Sequence, residues 1–267
     1  MKIALLFSGE PRTYKQCIDS QKEFLLEPYN PDVYLVSPTF EGGESVWWMG
    51  GNATPAQPVD IQDLVDCYNP VKIEVHNRDK DPVYPKFKEW DLNQEPYSLY
   101  YMSWKQYYRM WRSLDIIENL EQYDIIIRTR FDLQIDTPID VMSALKYDGV
   151  MVSSIGFFDL EAKEFDCDAV RQQGIRSYRE RWFPGGERLI WGRTEIMKKF
   201  LSVYKDLDSI WSDKPWKEFG ITEDYHREAC SEHLMWYFSK KHNIKYFATS
   251  LSPVNVKLLR HDGRYIV

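Results

Sequence analysis

The chain has 267 residues, 43% of them hydrophobic, which is enough for one α/β domain or two small ones with a full core. A formal net charge of −7 argues against nonspecific binding to DNA or RNA, which needs a basic surface, but leaves room for a local basic pocket. Cys17, Cys67, Cys167 and Cys230 are scattered, so reduced thiols in a cytoplasmic protein are expected rather than a zinc site or a disulfide framework, and the apolar run from Ile3 to Phe7 is too short for a signal-peptide core or a bilayer span.

Lys2 to Phe7 predicts a buried first strand. The turn Ser8-Gly9-Glu10-Pro11-Arg12 follows at its carboxyl end. Gly9 lets backbone approach a ligand, and Pro11 suits a helix start. Ser8, Gly9 and Arg12 are candidates to hold a nucleotide or its phosphates through backbone N–H groups and a guanidinium. A plain strand-to-helix turn with a capping Ser is the alternative. Tyr14 to Leu26 reads as a helix and Asp32 to Val36 as a second strand. Ser37 to Pro58, with Trp47 and Trp48, is long and irregular; it reads as a lid or acceptor loop, or as a loop that its tryptophans anchor to the body. Ile61 to Tyr68 is a short helix and Val71 to Val75 a third strand, followed by a charged connection from His76 to Pro96. Tyr97 to Leu120 carries an aromatic stripe at three- and four-residue steps, the core face of an amphipathic helix, with Lys105, Arg109 and Arg112 mostly off it.

The central stretch is Tyr123 to Asp136. Ile125, Ile126 and Ile127 predict a strand buried on both faces. Arg128, Arg130 and Asp132 follow at alternate positions, so a strand reaching that far sends all three side chains from one face. In open α/β sheets ligands lie beyond the carboxyl ends of the strands. The three residues are thus either a structural ion-pair ladder or an anion site.

Thr137-Pro138 then reads as a helix start with Thr137 as cap. Tyr147 to Val152 is a strand. Ser153 to Pro184 is long and charged, with Arg171, Arg176, Arg179 and Arg181 expected in solvent. Gly185 to Gly192 brackets a short apolar run, and Thr194 to Leu207 is a helix. Thr222, or else Ser231, caps a late helix running through Lys240. Ile244 to Thr249 and Val254 to Leu259 are strands.

A first strand ending in Ser8-Gly9-x-x-Arg12, and a central one ending in Arg128-x-Arg130-x-Asp132, resemble GT-A-type nucleotide-sugar glycosyltransferases, above all microbial and viral members. The usual acidic motif of that family is Asp-x-Asp; here Arg130 stands at its first position and Asp132 matches the second. The resemblance implies a single domain over residues 1–267, with a mixed, mostly parallel, Rossmann-like sheet flanked by helices. It implies donor binding by Ser8, Gly9, Arg12, Arg128, Arg130 and Asp132. It implies Mn2+ or Mg2+ at Asp132, with His261 as a further ligand and Asp136 within reach. Arginine stays ionised and binds phosphate in a fork, so Arg130 also permits an enzyme that needs little or no metal. The catalytic carboxylates implied are Glu223, Asp224, Glu232 and Glu187. Glu187 belongs with Trp191, Gly192 and Met197 to a segment lying on the acceptor side. The function implied is transfer of a sugar from a nucleoside-diphosphate sugar to a hydroxyl acceptor such as a glycan. A sugar-nucleotide nucleotidyltransferase, or a non-catalytic carbohydrate-binding protein of the same fold, are the other readings.

Overall fold

The computed structural model describes residues 1–42, 55–77, 97–152, 163–164, 188–213, 235, 238–248, 256–259 and 265–266. Strand β1 (Ile3–Ser8) is buried along its whole length. It leads through the Ser8–Arg12 turn into helix α1 (Tyr14–Gln21), which continues through a π turn (Lys22–Leu26) to Tyr29. Asn30, at φ 43°, closes that helix in the left-handed conformation asparagine tolerates. Strand β2 (Asp32–Pro38) and the two-residue strands β3 (Phe40–Glu41) and β4 (Gln57–Pro58) precede helix α2 (Ile61–Tyr68). Asp60 caps α2 by accepting from the Asp63 N–H at 3.0 Å. Strand β5 (Lys72–His76) and helix α3 (Tyr97–Asp115) come next, then β6 (Ile125–Thr129) and β7 (Leu133–Ile135). The described remainder holds β8 (Val150–Val152), β9 (Lys163–Glu164), β10 (Leu189–Arg193), helices α4 (Thr194–Leu201) and α5 (Val203–Asp213), and strands β11 (Tyr246–Ala248), β12 (Val256–Leu259) and β13 (Tyr265–Ile266).

The main sheet has the order β5-β2-β1-β6-β10-β8-β11-β9. β5, β2, β1 and β6 are mutually parallel; β10 runs against both β6 and β8, β8 and β11 are parallel, and β9 reverses again. This is a mixed, mostly parallel α/β sheet. β7 belongs to a second, three-stranded sheet with β12 and β13.

Alternation along the central strands divides the core. Leu5, Phe7, Leu35, Ile125 and Ile127 face α1 and α2, where Ile18, Leu25, Leu64 and Tyr68 meet them. Ala4, Leu6, Val36 and Ile126 face Tyr107, Met110 and Leu114 of α3, with Met197 and Phe200 of α4. With apolar side chains leaving both faces, a helical layer is needed on each side, and the sheet has both. Among the described residues no helix is long and apolar enough to cross a membrane.

Several expectations need correction. The strand does not continue to Asp132: β6 stops at Thr129 and the chain turns through Phe131 and Asp132. Phe131 causes the break, because its ring is drawn into the core against Phe7 (centroids 5.4 Å apart) and Tyr68 (5.7 Å). Arg128, Arg130 and Asp132 therefore do not share one strand face. Thr137 caps no helix; a short 3-10 turn, Val141–Leu145, follows instead, with Asp140 accepting from the Ser143 N–H at 3.2 Å. The helix expected from Thr194 to Leu207 is two, broken at Ser202. Lys105 and Arg109 of α3, read as lying mostly off its core face, are buried.

Candidate functional site

β1 lies between β2 on one side and β6 on the other, and connections leave in opposite directions from this pair. The crevice beyond their carboxyl ends is where a doubly wound sheet accepts ligands. The Ser8–Arg12 turn and the Arg130–Asp132 turn both emerge there. Gly9 has φ 133°, a region other residues rarely adopt, and its N–H is bonded to the Val36 carbonyl at 3.2 Å. Among the described residues nothing lies within 4 Å of where a Cβ would stand.

Charge is concentrated between the two turns. Arg130 grips Asp132 in a fork, Nε to Oδ1 at 2.8 Å and Nη2 to Oδ2 at 2.9 Å. Arg12 reaches the same carboxylate more loosely, Nη1 to Oδ2 at 3.3 Å, and donates from Nε to Glu10 Oε2 at 3.2 Å. The Arg12 N–H donates to the Glu41 carboxylate. Glu10 also accepts from the Gly42 N–H at 3.4 Å and stands 3.9 Å from Arg109 of α3. Burial pushes the Glu10 carboxyl up, but Arg12, Arg109 and the Gly42 N–H outweigh it, and the group ends below the usual carboxylate value. Asp132 is fully enclosed, whereas the Arg12 and Arg130 side chains keep 17% and 19% of their surface open.

Arg128 sits deeper. It donates from Nε to Ser8 Oγ at 2.9 Å and from Nη2 to the Ser8 carbonyl at 3.2 Å, tying β6 to the end of β1. Ser8 is thus the acceptor of a buried arginine. Arg188, at the start of the antiparallel β10, is also buried at this edge; its carbonyl accepts from Thr129 Oγ1 at 3.2 Å. α3 crosses from the carboxyl end of β5 back to the start of β6, so its earlier residues Lys105 and Arg109 lie toward the same edge. Among the described residues the enclosed charges are Lys105, Arg109, Arg128 and Arg188 against Asp132 and the Glu10 side chain, and the balance of these is positive.

The metal expected at Asp132 does not fit the described donor set. Its one carboxylate is taken up by two arginines, and among the described residues no group of three His, Cys, Asp or Glu side chains could hold an ion. Asp136 lies beyond β7, where its carboxylate accepts from Gln134 at 3.1 Å. Glu187, Glu223, Asp224, Glu232 and His261 lie outside the described residues, as do Trp47, Trp48, Arg171, Arg176, Arg179 and Arg181. Trp191 and Met197, placed on the acceptor side by the resemblance, are buried core residues.

Glu10, Glu41, Lys105, Arg109 and Arg188 were not singled out from the sequence as site residues. Glu10 lay inside a motif already chosen. Arg109 and Lys105 looked like ordinary solvent-face residues of an amphipathic helix. No protein-family model matches the chain, and no curated protein matches it.

Proposed function

We propose that this protein is a glycosyltransferase of GT-A type that moves a sugar from a nucleoside-diphosphate sugar to a hydroxyl acceptor. One observation carries the reading: at the switch point beyond β1 and β6, two partly open arginines, Arg12 and Arg130, converge on one enclosed carboxylate. Asp132 gathers both guanidinium groups in one place, so a diphosphate arriving at this edge would meet two partly open arginines already held together. The mixed, mostly parallel sheet and the surplus of enclosed positive charge support the same reading.

In such a transfer the acceptor oxygen bonds to the anomeric carbon of the sugar, its proton passes to a carboxylate, and the bond to the diphosphate breaks with the electron pair leaving on phosphate oxygen. Arg12 and Arg130 meet the charge that grows on the leaving diphosphate, with Arg109 adding to the field behind them.

A second reading is favoured by the fork itself. Both oxygens of Asp132 are engaged by arginine, as in a structural ion pair, which suits a carbohydrate-binding protein that keeps the fold without turnover. The test is a panel of nucleoside-diphosphate sugars, scored by thermal shift and by release of nucleoside diphosphate, on the wild type and on Arg12→Ala and Arg130→Ala. Transfer or hydrolysis lost in both variants supports the enzyme. Sugar binding with no release in the wild type favours the binding protein, and no binding of any donor ends the enzyme reading.

A further inference from the structure

The turn that carries Arg130 and Asp132 is held from below by a residue in no motif. Gln21, the last residue of α1, is fully buried. Its Nε2 donates to the Leu133 carbonyl at 2.7 Å and to the Phe131 carbonyl at 3.0 Å, with the Arg130 carbonyl at 3.5 Å. An amide nitrogen has two hydrogens, so the two short bonds use both and the third contact is a weak share. Its Oε1 accepts from the hydroxyl of Tyr68, the last residue of α2, at 2.7 Å. The carbonyls decide which end of the amide faces the turn, since only the nitrogen can donate to them, and the oxygen is left to accept from the Tyr68 hydroxyl.

We infer that Gln21 is the positioning residue of the candidate site: with Tyr68 it fixes the turn through Arg130, Phe131 and Asp132, and so fixes where the Arg130–Asp132 fork stands. The turn leaves one sheet at Thr129 and enters another at Leu133, so its carbonyls fall outside the main ladder. Buried carbonyls need donors, and Gln21 supplies them. The side chain suits this place for chemical reasons. Glutamate offers only acceptors to a row of carbonyls, methionine has the length without the donors, and lysine brings a buried charge. Ser20, next to it, steadies the far side of the turn by accepting from the Ile135 N–H at 3.2 Å. None of these bonds involves the Arg130 or Asp132 side chains. Gln21 therefore acts on the fork through the backbone alone. Its link to donor binding rests on the function proposed above, but its hold on the fork does not.

The experiment compares wild type with Gln21→Met, Tyr68→Phe and a control, Tyr29→Phe. The control removes a hydroxyl that donates to the Ile139 carbonyl, away from the turn. The first readout is the exchange with water of the Arg130 Nε–H, followed by NMR on arginine-labelled protein and assigned by its loss in Arg130→Lys. Gln21→Met should speed that exchange by about tenfold and Tyr68→Phe by less, as expected for losing bonds to buried carbonyls. Tyr29→Phe should leave it unchanged even at an equal loss of melting temperature. Should Gln21→Met fail to fold, Tyr68→Phe, which lacks one hydroxyl only, decides alone. An Arg130 signal that does not move in the variants overturns the inference. The second readout is the dissociation constant for uridine and guanosine diphosphate, which should weaken by about tenfold in Gln21→Met and not in the control. A wild type that binds neither nucleotide counts against the proposed function, while the exchange readout still judges Gln21.

Discussion

Arg130 and Asp132 are two residues apart in sequence yet face each other across a turn, joined at 2.8 and 2.9 Å by both prongs of the guanidinium. The carboxylate is enclosed and the arginine partly open, so removing one partner is not equivalent to removing the other. Asp132→Ala leaves Arg130 and Arg12 without their shared anion and should lower stability by about 3 kcal/mol. Arg130→Ala leaves Arg12 on the carboxylate and should cost less. If the fork is a diphosphate clamp, Asp132→Asn binds inorganic pyrophosphate more tightly than wild type and Arg130→Ala more weakly. Urea denaturation with pyrophosphate titration checks both orders; equal losses on both counts would speak for a purely structural pair.

Arg12 adopts φ 43°, a left-handed conformation that costs a residue with a Cβ about 1 kcal/mol or more. The contacts to Glu10, Glu41 and Asp132 hold it there. Arg12→Ala loses the side-chain contacts to Glu10 and Asp132 and keeps the strain, whereas Arg12→Gly loses the same contacts and releases it; the backbone bond to Glu41 stays in both. Arg12→Gly should therefore be more stable than Arg12→Ala by about 1 kcal/mol, as measured by chemical denaturation.

His76 ends β5 with both ring nitrogens enclosed and, among the described residues, without a hydrogen-bond partner, its ring set edge-on to Tyr108 with centroids 5.7 Å apart. Burial first, then the Arg109 charge, lower its pKa from 6.5 to about 4; Glu74 opposes them, and Arg112 adds a smaller push downward. The unfolded chain takes up this proton near pH 6.5 and the folded chain only near 4, so stability falls as pH drops through that window. The loss approaches about 3 kcal/mol by the bottom of the window. Glu10 has the same sign at lower pH: its folded pKa is depressed, so its contribution is complete above 4.5 and is lost below. His76→Phe should flatten the pH 4 to 6.5 slope and, by removing unmatched ring nitrogens, gain about 1 kcal/mol at pH 7. Melting curves at half-unit pH steps check both.

Gly149 allows β8 and β11 to pair. A Cβ there would stand 2.5 Å from the Lys245 carbonyl oxygen and 2.5 Å from Cε2 of Phe247. The first of these is backbone and cannot swing aside. Gly149→Ala should cost about 3 kcal/mol and loosen the β8–β11 pairing in hydrogen exchange. Among the described residues a Cβ at Gly9 meets no atom, but Gly9→Ala must hold φ 133°, a conformational cost of about 1 to 3 kcal/mol. Unchanged exchange at β11 in Gly149→Ala would contradict the packing argument.

The α/β class, the buried β1 and β6, and the polar ends of both strands at one sheet edge were legible in the chain, because uninterrupted apolar runs such as Ile125–Ile127 carry their burial within themselves. The turn at Thr129 was not. Phe131 reads equally well as a strand residue or as a core ring pulled sideways, and the difference lies in Phe7 and Tyr68 far along the chain. Lys105 and Arg109 were missed for a related reason. Periodicity marks the apolar face of α3, but whether a cation beside it is buried depends on what it meets at the sheet edge, as Arg109 meets Glu10.

Local pattern alone therefore determined the layered architecture and the edge at which ionic groups collect, since strand burial and helix amphipathicity are properties of short segments. Only the folded chain decided which ions grip one another, that Arg128 turns inward to Ser8 while Arg130 bends back on Asp132, and that Gln21 supports the turn between them. The Arg128–Ser8 bonds and those of Gln21 to the turn depend on partners 109 to 120 residues away, and even the Arg130–Asp132 pair, two residues apart, closes only because the chain turns between them; a charge or an amide settles according to the donors and acceptors that the fold brings within about 3 Å of it.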